Sequence, residues 1–456
     1  MVVISLDIGT TKICASAVDA ESCAVLETVS ERNYFIPGEE PYEKLQNPQQ
    51  IVATAGRLIG ELQEHWPIIC AIGITGQMHG VLYVDGKGNA VSPLYTWQDQ
   101  TGSREYRDGK TYSEYLSEAT GYPAATGFGL VTHFCHLHRG KVPASAVKIC
   151  TIQDYMVMYL TGEKNPVMHV TNAASLGFFH LEKGSFDEEA IKIMGIPFSI
   201  LPEVSDQFCI CGKNREGIPV CVAIGDNQSS FLGSVNQTEE CVLVNVGTGS
   251  QISIASRERT VITDLELRPY FNGQYLQVGA PLCGGNAYEL LERFFRDVLK
   301  MAGCQNDRSL YPFMDEWLLK AEELTDYPRV ATCFCGSRRN ICDRGRIENI
   351  SFDNFTPAGV MLGFLEGISR ELYDLARPCL EIQYGQFRKV IASGNGVRKN
   401  KMLVKALSNC FGLPVYIPAF QEEASYGAAL FALFCSGRFQ CLEDAQRVIK
   451  YDKFLG

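Results

Sequence analysis

The chain has 456 residues, of which 46% are hydrophobic and 20% charged, and its formal net charge is -11. One hydrophobic core serves at most about 250–300 residues, so this length predicts two domains. The acidic balance argues against nucleic acid and anionic membrane surfaces as main partners. It does not argue against nucleotides, which backbone amides and a metal usually hold.

The 18 cysteines are scattered along the chain and form no CxxC pair. The closest pairs, Cys209/Cys211 and Cys333/Cys335, lack the spacing of a zinc site. We therefore predict reduced structural thiols in a cytoplasmic protein. The chain starts directly with an apolar strand pattern and has no apolar run approaching 18 residues, so we expect neither a signal peptide nor a transmembrane helix.

The first half of the chain alternates strand and helix patterns. Strand patterns, which are apolar runs bounded by turn signals, lie at 2–6, 12–18, 24–31, 68–75, 81–85, 91–95, 146–153 and 218–226. The runs 81–85 and 91–95 flank Gly-Lys-Gly-Asn and predict a hairpin. Helical spacing covers 48–65, 154–162 and 227–234.

The pattern of the N-terminus recurs at 241–256, where a strand, a Gly-Thr turn and a second strand follow one another. The segment LVNVGTGSQI repeats the apolar-polar-apolar-Gly-Thr core of the N-terminal SLDIGTTKI. Helical patterns at 284–302, 356–377 and 422–437 then alternate with strands at 388–393 and 413–417. This order predicts an α/β protein of two related halves, and we place the domains at 1–233 and 234–456.

Both Gly-Thr turns have a composition suited to phosphate. Backbone amides and hydroxyls of Gly9-Thr10-Thr11 and of Gly247-Thr248-Gly249 could wrap a phosphate group. Asp7, at the end of the first strand, could hold Mg²⁺ through water. An ordinary β-turn is the alternative in each case, since Asp, Gly and Thr are turn formers. Two such hairpins facing each other would clamp a polyphosphate.

Two further strand ends carry candidate groups. Asp226 follows a strand and precedes a helix, where a carboxylate could accept the proton of an attacking hydroxyl, or could cap the helix. The segment Ser-Gly-Asn-Gly at 393–396 would let the backbone approach a flat ligand closely, or is an ordinary strand–helix loop. Its spacing differs from GxGxxG.

The segments GITGQMHGV and TWQD suggest a carbohydrate pocket. His79 could hydrogen-bond a sugar hydroxyl, and Met78 could pack against sugar carbons. Trp97 stands beside an amide and an acid, a grouping common in such pockets. The alternatives are a core histidine and loop anchors.

The order of these motifs along the chain decides between the alternatives. The motifs are Asp-Ile-Gly-Thr-Thr at 7–11, Gln-Met-His-Gly at 77–80, Trp-Gln-Asp at 97–99, Gly-Asp-Asn at 225–227, Gly-Thr-Gly at 247–249, Gly-Asn-Gly at 394–396 and Glu-Ala-Ser-Tyr-Gly-Ala-Ala at 423–429. In this order the chain resembles the FGGY carbohydrate kinases over its whole length. The resemblance implies two actin-like (ribonuclease-H-like) domains with an intervening cleft, ATP·Mg²⁺ mainly on the C-terminal half and sugar mainly on the N-terminal half.

The resemblance also implies roles for individual residues. Asp226 would be the catalytic base and would lie, with Asp7, near Mg²⁺. The residues expected near ATP are Thr10, Thr11, Lys12, Gly247, Thr248, Gly394, Asn395 and Asn400. The residues expected near the sugar are Gln77, Met78, His79, Trp97, Asp99 and Asn227.

The resemblance narrows the substrate. Gln-Met-His-Gly is the ketose-kinase version of its motif, whereas glycerol kinases carry an Arg-Glu version. Segments similar to the sedoheptulokinases are ATGFG (125–129), TIQDY (151–155), NAASLG (172–177), PYFN (269–272) and GGNA (284–287). They imply phosphorylation of sedoheptulose at its terminal hydroxyl. The alternatives are xylulokinase or another ketulose kinase and, in another class, a non-catalytic actin-like ATP-binding sugar sensor.

Some positions depart from the family pattern. Thr101 stands where an Arg is common, and Arg104 is its candidate replacement; Gly336-Ser337-Arg338 keeps an Arg but loses a Glu. These departures concern fine substrate contacts. A homodimer is compatible with the resemblance, although the sequence itself gives no oligomeric state.

Overall fold

The computed structural model describes residues 1–304, 308–321, 323–336, 342–383 and 385–453. Contacts divide the chain into two compact units. Unit 1 comprises Met1–Asn236, Arg268–Gly273 and Glu422–Val448, and unit 2 comprises Gln237–Leu267, Gln274–Gln421 and Ile449–Gly456. The division at 233/234 stays a prediction about domains; by contacts, two later segments pack with the first part of the chain.

The described residues alternate strands and helices, as the sequence predicts. The strands are β1 (Val2–Ile8), β2 (Lys12–Asp19), β3 (Val25–Arg32), β4 (Phe35–Ile36), β5 (Leu45–Gln46), β6 (Ile69–Gly76), β7 (Leu82–Asp85), β8 (Leu94–Tyr95), β9 (Glu105–Arg107), β10 (Lys110–Thr111), β11 (Ala146–Cys150), β12 (Val167–His169), β13 (Phe179–His180), β14 (Ser185–Phe186), β15 (Glu203–Ser205), β16 (Ile210–Lys213), β17 (Pro219–Cys221), β18 (Ile224–Gly225), β19 (Cys241–Val246), β20 (Ser250–Ser256), β21 (Glu266–Pro269), β22 (Tyr275–Gly279), β23 (Arg329–Ala331), β24 (Arg346–Glu348), β25 (Lys389–Ser393), β26 (Val415–Pro418) and β27 (Tyr451–Lys453).

The helices predicted at 48–65, 154–162, 227–234, 284–302, 356–377 and 422–437 are present, and the structure contains others that were not predicted. The helices are α1 (Pro48–His65), α2 (Tyr112–Thr120), α3 (Gly129–Arg139), α4 (Ile152–Thr161), α5 (Val170–Ala173), α6 (Glu188–Ile193), α7 (Asp226–Ser234), α8 (Gly285–Met301), α9 (Tyr311–Lys320), α10 (Pro357–Ile382), α11 (Asn395–Lys399), α12 (Lys401–Phe411), α13 (Glu423–Cys435) and α14 (Leu442–Gln446). Short 3-10 helices lie at Thr101–Ser103, Ala174–Leu176, Phe198–Ile200, Thr238–Glu240 and Phe271–Gly273.

The main sheet of unit 1 runs in the order β16-β17-β6-β1-β2-β3, and β18 also pairs with β6. The pairs β1–β2 and β2–β3 are antiparallel, whereas β6 lies parallel to β1, β17 and β18. Ile4, Leu6 and Ile8 form a core with α1. Ser5 points to the other face, where its hydroxyl lies 2.9 Å from that of Ser425 in α13. Because side chains alternate along a strand, the two helices cover opposite faces.

The main sheet of unit 2 repeats this topology. Its strands follow the order β21-β22-β20-β19-β25-β26-β27. The pairs β19–β20 and β20–β22 are antiparallel, and β25 lies parallel to β19 and β26. In each unit a hairpin and a third antiparallel strand therefore stand beside two parallel strands. This confirms the two related halves that the repeated Gly-Thr hairpin predicts.

Two predicted elements differ in detail from the structure. The strand predicted at 218–226 is two short strands, β17 and β18, followed by α7. The two arms of the hairpin predicted at 81–95 are joined by the antiparallel bridges Val81–Tyr95 and Val84–Ala90 and by further backbone hydrogen bonds, such as the one from the Val91 amide to the Tyr83 carbonyl (2.9 Å). The longer pairings of these arms are with other segments, because β7 pairs with β11 and β8 pairs with β5.

All 18 cysteines lie in the described part of the chain, and each is a free thiol. Among the described residues, none of the helices combines the length and the apolar character that a bilayer crossing requires.

Candidate active site

Three predicted motifs of unit 1 meet at the carboxyl ends of neighbouring parallel strands. Asp7 on β1 and Ile224 on β18 both pair with Thr75 of β6, so the ends of the three strands are level. Gln77, Met78 and His79 leave the end of β6, and Asp226 leaves the end of β18. In α/β sheets this edge is where ligands bind.

The two carboxylates of this edge influence each other. Burial, then the charges of Asp226 and Glu422, raise the pKa of Asp7 to about 7, although Lys12 opposes the shift. Burial also raises the pKa of Asp226 to about 6, against the opposing charge of Arg268. Asp7 Oδ1 is buried without a hydrogen-bond partner. Two desolvated carboxylates at the ends of the strands that flank β6 favour a cation near them.

This pair suits Mg²⁺ delivered with a nucleotide. Mg²⁺ is usually held by one or two carboxylates together with phosphate oxygens and waters. Other metal sites take all their ligands from the protein. The described residues contain no group of three His, Cys, Asp or Glu that could hold a metal ion in that way. Asp7, with its unpartnered oxygen, and Asp226 are therefore the residues that would hold the ion.

Asp226 is not the cap of the helix that follows it. Helix α7 begins at Asp226, its N-cap is Gly225, and no side chain caps it. The capping alternative for Asp226 is therefore wrong. The carboxylate accepts hydrogen bonds from the backbone amides of Asn227 and of Asp226 itself. Asn227 is buried in the first turn of the helix.

A ring of hydrogen bonds holds the Gly9–Thr11 turn. Thr10 Oγ1 donates to Gln77 Oε1 (3.2 Å), Gln77 Nε2 donates to Gln46 Oε1 (2.8 Å), and Gln46 Nε2 donates to the Thr10 carbonyl (2.7 Å). Trp97 Nε1 donates to Thr10 Oγ1 (2.9 Å), although 46% of the Trp97 side chain stays exposed. Side chains from outside the hairpin therefore hold this turn in place, and an ordinary β-turn does not need such contacts.

The ends of the turn differ in their contacts. Thr11 is exposed. Lys12 Nζ donates to Glu422 Oε1 at 2.6 Å. The pKa of Lys12 is raised, because the hydrogen bond and charge of Glu422 outweigh burial, which lowers it. Lys12 and Glu422 both belong to unit 1.

Met78 and His79 project from the end of β6. Met78 is buried, and its sulfur lies 2.8 Å from where a Cβ at Gly225 would stand, so a larger residue at 225 would require the Met78 side chain to shift. His79 Nδ1 lies 2.8 Å from the Ser175 carbonyl, and its ring stacks on Phe128.

The Asp99 carboxylate accepts backbone hydrogen bonds from two segments, its own loop and the residue that precedes β5. The Thr101 amide donates to Asp99 Oδ1 (2.9 Å), and the Lys44 amide donates to Oδ2 (3.1 Å). Its side chain is fully buried, and this burial raises its pKa despite those bonds. Arg104 lies over the ring of Tyr42, 4.9 Å from its centroid. Ser337 and Arg338 lie outside the described residues.

Unit 2 holds the remaining predicted residues around its own hairpin. The Gly247–Gly249 turn joins β19 to β20, with Thr248 exposed, and the Thr248 carbonyl accepts the Asn286 amide (2.9 Å). Gly394 has φ +89°, and a Cβ there would stand 2.6 Å from the Val246 carbonyl oxygen. Glycine therefore brings the loop after β25 directly onto the strand that precedes the turn.

Asn395 and Asn400 follow this loop. Asn395 is the exposed first residue of α11. Asn400 is buried and caps α12, because its Oδ1 accepts the Leu403 amide at 3.0 Å. The Asn400 side chain therefore caps α12 whether or not it also contacts a ligand.

Sequence reasoning missed three residues of the unit 1 site. Arg268 lowers the pKa of Asp226, Glu422 pairs with Lys12, and Ser175 contacts His79. Each stands in or directly beside a segment that carried the family resemblance, PYFN, EASYGAA or NAASLG. Their position in or next to these segments was the sequence signal that could have identified them as site residues.

The chain was compared with known proteins. The model "FGGY family of carbohydrate kinases, N-terminal domain" matches residues 2–233, and its C-terminal counterpart matches 242–435. Sedoheptulokinase from Homo sapiens is 28% identical over 398 residues, which cover 80% of this chain and 81% of the relative. Glycerol kinase from Aquifex aeolicus (strain VF5) is 26% identical over 474 residues, covering 97% and 91%.

Solved structures are similar in fold. Xylulose kinase from Lactobacillus acidophilus, ligand bound, has a TM-score of 0.84 at 19% identity, covering 99% of this chain and 93% of that one. Plasmodium falciparum glycerol kinase with ADP has a TM-score of 0.81 at 19% identity, covering 98% and 92%. The two-domain actin-like α/β fold predicted from the sequence is confirmed.

Proposed function

The chain belongs to the FGGY family of carbohydrate kinases, and we propose that it transfers the γ-phosphoryl group of ATP to the terminal primary hydroxyl of a ketose, specifically sedoheptulose. Asp226 is the general base in this proposal. The observation that carries it is the convergence of Asp7, the Gln77–His79 segment and Asp226 at one edge of the unit 1 sheet.

The proposed step follows from the chemistry of these groups. The Asp226 carboxylate takes the proton of the sugar hydroxyl while the hydroxyl oxygen forms a bond to the γ-phosphorus. The bond between the γ-phosphorus and the β,γ-bridging oxygen breaks, and ADP is released. The Mg²⁺ held by Asp7 and Asp226 supplies charge neutralisation when bound. Thr10, Thr11 and Lys12 would line the transferred phosphoryl group, and their turn is already fixed by Gln46 and Trp97. Such positioning is most of what phosphoryl transfer requires.

The adenine nucleotide is proposed to use unit 2. Gly247 and Thr248 would contact phosphate, and Gly394, Asn395 and Asn400 would line the adenosine. The close packing of Gly394 on Val246 supports this, since it places the loop directly beside the strand that leads into the Gly247–Gly249 turn. The ADP in the Plasmodium falciparum glycerol kinase structure is a supporting analogy.

Two observations support a ketose over glycerol. The chain carries Gln77-Met78-His79 where glycerol kinases carry an Arg-Glu motif. The sedoheptulokinase-like segments TIQDY and NAASLG both contact the end of β6: Gln153 Nε2 donates to the Gly76 carbonyl (3.3 Å), and Ser175 contacts His79. The human relative named sedoheptulokinase adds to this.

The test is ADP release with Mg·ATP over a panel of sedoheptulose, xylulose, ribulose, fructose, tagatose and glycerol. Highest kcat/KM with sedoheptulose supports the full proposal, and highest kcat/KM with another ketose moves it to that sibling activity. Asp226→Asn is the control, and it should lose about 10²–10⁴-fold in kcat while ATP binding persists in calorimetry. No turnover with any sugar, or normal turnover by Asp226→Asn, contradicts the proposal; the first outcome favours a non-catalytic sugar sensor.

The 18 free thiols support a reducing compartment, so we place the protein in the cytoplasm as part of the same proposal. A homodimer stays a prediction.

A further inference from the structure

His79 sits in an unusual backbone turn. The Gly80 amide donates to the Met78 carbonyl at 2.9 Å, which closes a three-residue γ-turn centred on His79. The φ of His79 is +71°, in the left-handed region that residues other than glycine rarely adopt. Such a conformation persists only where the surroundings over-determine it, and it concentrates at functional positions.

One residue supplies both contacts that fix this turn. The backbone amide of His79 donates to Ser175 Oγ at 3.0 Å, and Nδ1 of the same histidine lies 2.8 Å from the Ser175 carbonyl oxygen. A carbonyl oxygen only accepts, so Nδ1 carries the proton in this contact. Ser175 therefore sets both the backbone conformation of His79 and the protonation of its ring.

An aromatic stack fixes the plane of the ring. The rings of His79 and Phe128 lie 4.9 Å apart between centroids and 4° from parallel. Gly177 makes room for Phe128, because a Cβ at this position would stand 3.0 Å from the phenyl Cδ2. With Nδ1 bonded and the plane fixed, the direction of Nε2 is also determined.

Ser175 is itself held by a buried polar network. Asn172 Nδ2 donates to Thr151 Oγ1 (2.8 Å) and Asp154 Oδ2 (2.7 Å). Gln153 Nε2 donates to Asn172 Oδ1 (2.9 Å) and also reaches the Gly76 carbonyl at the end of β6. The segment that carries Ser175 is thus tied to the strand that carries His79, and the two cannot move independently.

We propose that Ser175 is a positioning residue that fixes the backbone turn of His79 and keeps a proton on Nδ1 of its ring, so that the imidazole is held in one orientation for contact with a hydroxyl group of the polyol substrate. The substrate part rests on the proposed function. A sugar analogue whose hydroxyl is replaced by hydrogen at the contacted carbon loses this contact.

The protonation of Nδ1 is tested without any substrate. Imidazole ¹⁵N spectra of the full chain at pH 7.5 resolve the seven histidines, and the signals of His79 are those absent from the His79→Asn variant. We expect a proton on Nδ1. A neutral ring protonated at Nε2, or a mixture of both neutral tautomers, overturns the inference. Because no sugar is present, this result is independent of whether the proposed kinase reaction occurs.

The positioning role is tested by kinetics with the best ketose of the panel. Ser175→Ala removes the acceptor of the His79 amide, and we expect KM for the ketose to rise roughly tenfold while KM for ATP stays unchanged. Ser175→Thr keeps the hydroxyl and should restore most of the ketose affinity. Ser436→Ala is the matched control, since Ser436 Oγ donates to the Leu433 carbonyl in the last turn of α13, outside the site.

Three outcomes oppose the positioning role. It is overturned if Ser175→Ala leaves KM for the ketose unchanged, if it raises KM for ATP equally, or if Ser175→Thr fails to differ from Ser175→Ala. Should Ser175→Ala unfold, 3- and 4-deoxy ketoses with the wild-type enzyme replace it: at least one should lose roughly tenfold in KM, and no loss with either overturns the inference. If no ketose is turned over at all, the proposed function is wrong, but the ¹⁵N measurement of the His79 ring still tests the inference about Ser175.

Discussion

Replacing His136 by Asn should change how the stability of the protein responds to acid. The Tyr83 hydroxyl lies 2.9 Å from Nδ1 of His133 and 3.0 Å from Nδ1 of His136, and all three side chains are buried. The hydroxyl has one hydrogen, so it donates to one imidazole and accepts from the other. The accepting ring is therefore neutral, burial lowers the pKa of both rings, and the Nε2 atom of each is buried without a hydrogen-bond partner.

The magnitude follows from the pKa values. Burial lowers the pKa of His133 to about 4 and that of His136 to about 3, from 6.5 for the unfolded chain. Below pH 6.5 the unfolded chain binds protons that the folded chain excludes, so stability is full above this pH and falls with acidification. Each imidazole costs about 1.4 kcal/mol per pH unit, or about 2 kcal/mol at pH 5. That is a sizeable share of a typical 5–15 kcal/mol.

Buried carboxyl groups act in the opposite direction. Burial raises the pKa of Asp154 to about 7 and, with nearby carboxylates, that of Asp7 to about 7. Between pH 7 and the unfolded value of 3.8 the folded state binds more protons than the unfolded state, so acid stabilises it through these groups. The informative quantity is therefore the difference between variant and wild type, in which the carboxyl contributions cancel.

The assay is urea unfolding followed by circular dichroism at several pH values from 7.5 to 5. His136→Asn keeps a polar atom near the Tyr83 hydroxyl but does not titrate. It should lose a constant amount from packing and then gain about 2 kcal/mol relative to wild type on going from pH 6.5 to 5. The same substitution at the exposed His65 controls for loss of a histidine as such. Parallel curves for His136→Asn and wild type would refute the reasoning.

Four further substitutions test the helix packing and the two loops. Gly427→Ala should cost about 3 kcal/mol or more, because a Cβ there would stand 1.8 Å from a backbone oxygen of α7; Gly56→Ala, in open space within α1, should instead add about 0.5–1 kcal/mol, and equal unfolding midpoints would contradict both. Trp97→Phe removes the donor to the Thr10 hydroxyl and should lower kcat/KM several-fold, checked by steady-state kinetics. Gly394→Ala should weaken ADP binding more than tenfold in calorimetry, and unchanged affinity would remove this loop from the nucleotide site.

Local patterns were enough to predict the main strands and helices and their order, although the elements within 96–145 and 163–217 were not predicted. The helix predicted at 48–65 is α1, because Asn47 accepts hydrogen bonds from the first-turn amides and the apolar spacing covers the whole span. The echo of SLDIGTTKI at 243–252 predicted the second hairpin, and the two sheets repeat one topology around these hairpins. Such features depend on residues close in sequence, so a single chain reveals them.

The partners of each side chain could not be predicted in the same way. Asp99 stands in a motif typical of a sugar pocket, yet both its oxygens accept backbone amides, one from Thr101 in its own loop and one from the distant Lys44. Gln77 holds the Thr10 turn through Gln46. Ser175, almost a hundred positions later in the chain, sets the ring of His79. Sequence spacing carries no information on which distant segment fills a given space.

The sequence by itself determined where the strands and helices lie, which turns need glycine, and which family motifs stand at the strand ends. The tertiary structure alone decided how those groups behave. Asp7 and Asp226 are ordinary carboxyl groups in the sequence, but in the fold their pKa values are raised to about 7 and about 6. The physical reason is that desolvation and neighbouring charge act through space. They depend on Arg268 and Glu422, which only the packing of late segments into unit 1 brings to the site.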